Sequence, residues 1–152
     1  MSHSRRAAAT AVGAVVFAAV LIAAFGVVSL LVNEDVIVTP GLGQMPGIIA
    51  VAASLGAVAV TIWVRIPARG VWGTLGWAAL AAFLGYLVGL GVASVVASAD
   101  VVLALSAVGR AATTWPGLVV IAAAILAAAL ALAVAGGAGE NARWPWERGD
   151  DE

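Results

Sequence analysis

Apolar positions fall into four long runs, at residues 7–32, 47–64, 71–97 and 117–135, separated by short polar breaks. At about 1.5 Å rise per helical residue even the second run covers a hydrocarbon core of about 30 Å, so each run predicts a membrane-spanning helix. The first run follows a polar head, residues 1–6, that ends in Arg5 and Arg6. It is longer than the roughly 7–15 apolar residues of a cleaved secretory signal and reads as a retained signal anchor. Ser4, Arg5 and Arg6 resemble a twin-arginine export signal only in part; the long anchor behind them favours cytoplasmic anchoring.

The breaks carry turn chemistry. After Asn33, Glu34 and Asp35, the residues Pro40, Gly41, Gly43 and Pro46 predict a turn-rich loop that restarts a helix near Pro46. Arg65, Pro67 and Arg69 make a tight basic turn into the third run, and Pro116 and Gly117 open the fourth. Between the last two lies a mixed stretch, 98–114. As a helix it would gather Asp100, Ser106, Arg110, Thr113 and Thr114 on one side and Val101, Leu105 and Val108 on the other. An interfacial helix and a frayed extension of the third span fit equally well.

Small residues recur every fourth position in the third run: Gly73, Ala81, Gly85, Gly89, Ala93 and Ala97, interrupted by Trp77. Close backbone approach across such a ridge is a main source of helix association in lipid. The third span is therefore the expected packing hub, with Ala81, Gly85, Gly89 and Ala93 as its helix-packing residues and Leu84 and Leu87 facing outward. The fourth run has a similar row in Ala123, Ala127, Ala131 and Ala135.

A repeat lies beneath the hydropathy. Gly26, Val27, Ser29, Asp35 and Val36 match Gly91, Val92, Ser94, Asp100 and Val101 at an offset of 65. Pro46, Gly47, Ala52 and Ala53 match Pro116, Gly117, Ala122 and Ala123 at an offset of 70. The halves would be tandem helical hairpins pointing the same way, as in parallel repeats; the other reading is chance similarity between Ala- and Val-rich segments.

Composition strengthens the membrane assignment. The chain has 152 residues, 64% of them hydrophobic and 10% charged, with a mean hydropathy of +1.13, against roughly 25% charged residues in soluble domains. Net charge is −1, which points to no nucleic-acid partner. There is no cysteine, hence no disulfide or thiolate chemistry, and all seven basic residues are arginine. Arg5, Arg6, Arg65, Arg69, Arg143 and Arg148 fall on one side of a four-span chain and only Arg110 on the other. That asymmetry predicts a multi-pass protein with both termini cytoplasmic. Trp63, Trp72 and Trp77 flank the inner turn and Trp115 marks the outer face, where amphipathic rings prefer the headgroup level.

Candidate chemistry is sparse. The spans hold no ionisable side chain of the kind that marks coupled transport; Ser29, Ser54, Thr61, Thr74, Tyr86 and Ser94 read as interhelical glue. His3 reads as a solvated terminal residue without partners for metal or base chemistry. Glu34 and Asp35 read as a solvated loop or as partners of Arg110, since a divalent cation needs more converging oxygens. No enzyme, cofactor or metal site is expected. The tail, 136–152, reads as a headgroup anchor; alternatively Arg143, Trp144, Trp146 and Arg148 form a contact for a partner protein, residue types that often anchor interfaces.

The stretch Asp35, Val36, Ile37, Val38, Thr39 and Pro40 after a first span, with Arg143, Trp144, Pro145, Trp146 and Glu147 near the end, resembles a group of small actinobacterial membrane proteins of no assigned activity. The resemblance implies a bacterial plasma membrane and transfers no catalytic residue. Small multidrug transporters also have four spans, but the first span here lacks the membrane carboxylate on which their proton coupling depends. The expectation is an all-α, four-helix transmembrane bundle occupying 7–135, with the lipid bilayer and another membrane protein or itself as partners. Its leading function is a non-enzymatic accessory or scaffold subunit packing through the third span. The alternative is a small permease or lipid-binding protein with a cavity between the hairpins, lined by Tyr86, Ser94 and Ser29.

Overall fold

The computed structural model describes residues 3–33, 43–66 and 70–137. They form five helices and, among the described residues, no strand: α1 (His3–Val32), α2 (Met45–Arg65), α3 (Val71–Ser98), α4 (Val101–Thr113) and α5 (Trp115–Gly137). α1, α2, α3 and α5 are each long and apolar enough to cross a membrane. The fold is an all-α transmembrane bundle of four helices with one short additional helix. α2 begins with proline in its first turn, where the missing N–H has no intrahelical partner to lose.

The stretch after α3 is a capped helix rather than a frayed end. Ala99 adopts the left-handed conformation (φ 54°) and donates its N–H to the Val95 carbonyl at 2.9 Å, closing α3. Asp100 is then extended, and its Oδ1 accepts from the N–H groups of Val102 (2.8 Å) and Leu103 (3.1 Å), which caps α4. Ala104, Ala107 and Ala111 are the buried face of α4, whereas Val101 and Leu105 are exposed and Val108 is half-buried. Alanine lets α4 approach its neighbours closely. Val101, Leu105 and Val108 instead flank an apolar groove of about 360 Å³ shared with Gly91, Val92, Val95 and Val96 of α3.

Around the bundle the order is α1, α2, α3, α5, with α5 closing against α1 and α4 lying across α3 and α5. Phe17, Leu21, Val58, Ile62, Tyr86 and Val120 fill the centre. The inward faces repeat at the intervals found in the sequence. Shifted by 65 residues, buried Ala9, Gly13, Phe17 and Leu21 of α1 land on Thr74, Ala78, Ala82 and Tyr86 of α3, all buried. Shifted by 70, buried Pro46, Ala50, Ser54 and Val58 of α2 land on Pro116, Val120, Ala124 and Ala128 of α5, also all buried. The half-buried Leu132 matches Ile62 in the same way.

Candidate functional site

The tightest seam joins α2 to α3. A Cβ added at Gly85 would lie 3.0 Å from the Ala57 Cβ, 3.1 Å from the Ala53 carbonyl oxygen and 3.2 Å from the Ser54 Cα. At Gly89 it would lie 2.8 Å from the Ala53 Cβ, 3.0 Å from the Ala50 Cα and 3.2 Å from the Ile49 carbonyl oxygen. Glycine is required here because the obstacles are mostly backbone atoms. Beside Gly85 the buried Ser54 hydroxyl donates to the Ala82 carbonyl oxygen at 2.9 Å, a polar tie across an otherwise apolar contact. Ala93 is buried and Ala81 half-buried on the same helix. Other members of the four-residue ladder point elsewhere: Gly73 is exposed with open space around it. Leu84 is 49% exposed as expected, but Leu87 is partly buried and packs on the core, since α3 is touched by α2, α4 and α5 and its inward arc is wide.

A second close approach was not legible as such. The position of a Cβ on Gly13 of α1 falls 3.1 Å from the Ala131 Cβ and 3.4 Å from the Ala127 carbonyl oxygen of α5, and 2.7 Å from the mobile end of Ile62. The alanine row of the fourth run was the signal, and Gly13 is the residue it meets.

The polar side chains within the bundle are bonded locally or closed over. Thr61 donates to the Ala57 carbonyl (2.8 Å) and Thr74 to the Gly70 carbonyl (3.0 Å). Tyr86 and Ser94 are both buried, with the Phe25 ring 6.2 Å from that of Tyr86, and Phe25 in turn edge-on to Trp115 at 5.8 Å. Ser94 Oγ has no hydrogen-bond partner. Ser29 is half-buried.

Charge gathers at the end where α1 and α3 begin and α2 finishes. Arg6 Nε donates to the Trp63 carbonyl oxygen at 2.6 Å, and its guanidinium lies over the Trp63 ring at 4.6 Å. The His3 ring meets the same indole edge-on at 5.2 Å, while His3 itself is exposed in the first turn of α1. Arg65 lies over the Trp77 ring at 4.9 Å. Trp63 shows why this clasp forms: its carbonyl would bond to the N–H four residues on, and that residue is Pro67, which has none. Proline four residues after an arginine-flanked tryptophan was the available sequence signal. At the opposite end Asp100 caps α4 and Arg110 is exposed. Among the described residues no group of three or more His, Asp or Glu side chains converges.

The model of the Family of unknown function (DUF6121) matches residues 1–152. The chain belongs to that family. No curated protein and no solved structure matches it. The family match spans the head, all five helices and the tail. Of the expected contact residues, Arg143, Trp144, Trp146 and Arg148 lie outside the described residues, as do Glu34 and Asp35, so the expected Arg110 pair does too.

Proposed function

We propose that the protein is a non-enzymatic accessory or scaffold subunit of the bacterial plasma membrane, crossing it four times with both termini cytoplasmic. The observation that carries this reading is the disposition of polar groups. The polar side chains within the spans are hydroxyls; Ser54, Thr61 and Thr74 are committed to backbone carbonyls and Thr10 and Ser94 are closed over without a partner among the described residues, while the described arginines stand at the helix ends. Such a bundle is built to hold its shape and to present surface. The third span acts as the internal hub: its Gly85 and Gly89 are consumed by α2, so a partner is met through other faces or through the tail.

Affinity purification of the full chain in mild detergent, followed by mass spectrometry, tests the proposal. A stoichiometric membrane partner is expected; a protein recovered alone and monomeric overturns the scaffold reading. Truncation after Gly139 then assigns the contact. Loss of the partner with normal membrane insertion places it on Arg143, Trp144, Trp146 and Arg148, and an unchanged complex places it within the bundle.

A further inference from the structure

The Arg6–Trp63 clasp leaves a donor set unspent. Its Nε satisfies the carbonyl that Pro67 cannot, and the indole face beneath fixes the guanidinium plane. The two Nη groups have no hydrogen-bond partner among the described residues. Arg5, exposed on the next position of α1, adds a second charge. No described carboxylate balances them, because the only one, Asp100, caps α4 at the other end of the bundle. Trp63, Trp72 and Trp77 all lie near this end, which sets its depth at the headgroup level of a bilayer.

We propose that Arg6, held on Trp63 at the junction of α1 and α2, binds the phosphate of an anionic phospholipid headgroup. An oriented guanidinium whose Nη1–Nη2 edge remains open matches a phosphate in bidentate geometry. Arg5 supplies attraction at longer range. The ring of Trp63 serves as the platform that keeps Arg6 from snorkelling away. The occupant is a lipid rather than a soluble anion because the site lies at the bilayer level marked by Trp63, Trp72 and Trp77, where headgroup phosphates are concentrated. This inference stands apart from the scaffold reading, since it needs neither a protein partner nor a particular orientation.

The test uses the full chain in mixed micelles containing phosphatidylglycerol or phosphatidylcholine, with retained lipids counted by native mass spectrometry. Phosphatidylglycerol should be retained about fivefold or more over phosphatidylcholine, and Arg6→Gln should erase about fivefold, the ratio expected for one cation near an anionic surface. Arg5→Gln, which leaves the Trp63 bond intact, should reduce retention while thermal unfolding is unchanged; this separates lipid binding from folding. Arg110→Gln should leave retention as it is. Equal retention of the two lipids, or retention indifferent to both Arg5→Gln and Arg6→Gln, overturns the proposal. Displacement of phosphatidylglycerol by millimolar inorganic phosphate at constant ionic strength assigns the site to a free anion and overturns it as well.

Discussion

Gly89→Ala adds one methyl group to the centre of the α2–α3 seam. The new carbon would sit 2.8 Å from the Ala53 Cβ and 3.0 Å from the Ala50 Cα, against an optimum near 3.5 Å or more. Neither neighbour is the free end of a long side chain, so α2 must shift by about 0.7 Å to restore contact distance. A shift of that size along the Ser54–Ala82 direction takes that hydrogen bond from 2.9 Å to beyond the length at which it counts as one. Overpacking costs about 1–3 kcal/mol, and the lost interhelical bond adds about 0.6 kcal/mol. Alanine returns about 1 kcal/mol through its better helix propensity. The net is a destabilisation of about 1–2 kcal/mol. Gly76, on the same helix, has nothing within 4 Å of an added Cβ, so Gly76→Ala keeps only the propensity gain. The two variants should therefore differ by about 2–3 kcal/mol in opposite directions from the parent. Denaturant titration in mixed micelles, followed by circular dichroism, reads the difference. If Gly89→Ala proves as stable as Gly76→Ala, the seam is not the close contact described, and the hub role of α3 goes with it.

Other sites give sharp expectations. Ala99→Gly should stabilise the protein by up to about 1 kcal/mol, because alanine at φ 54° carries a left-handed penalty of about 1–2 kcal/mol that glycine avoids at an entropic cost of about half as much; a loss of stability would show that the α3–α4 corner is held another way. Asp100→Ala should cost about 1 kcal/mol and expose the amides of Val102 and Leu103 to hydrogen exchange, while exchange in α2 stays as it was. Ser54→Ala should cost about 0.6 kcal/mol with no change in fold, because the Ala82 carbonyl lies within α3 and retains its place in the helical ladder; an effect above about 2 kcal/mol would mean that Ser54 has a second role.

The spans were legible because hydropathy and length decide them without reference to neighbours: Pro46 and Pro116 open runs and Pro67 follows one, punctuating the chain on their own. Gly85 and Gly89 were legible for a similar reason, since spacing by four places them on one ridge. What the spacing leaves open is which partner a ridge meets. Gly73 belongs to the same ladder and meets nothing, and Gly91, off the ladder, faces Val108 of α4. Leu87 packs inward because α2, α4 and α5 all crowd α3, which spacing along one helix does not show. In α4 the polar side was placed correctly, but alanine and valine are both apolar to a periodicity argument. Only packing distance decides that Ala104, Ala107 and Ala111 go in and Val101 and Leu105 stay out. The clasp at Trp63 was invisible to hydropathy altogether, because it joins the Arg6 side chain to a carbonyl left open by the missing N–H of Pro67.

The closure of α5 against α1 has a consequence for biogenesis. Spans leave the ribosome in order, at about 5–20 residues per second. The Arg6–Trp63 bond, bridging 57 residues, becomes available as soon as α2 is made, and the α2–α3 seam follows. Gly13 faces Ala127 and Ala131, so its partners arrive last. Until then the small-residue side of the first span stands open in the bilayer, and that nascent interval is when the chain is most exposed to pairing with a neighbour instead of with itself.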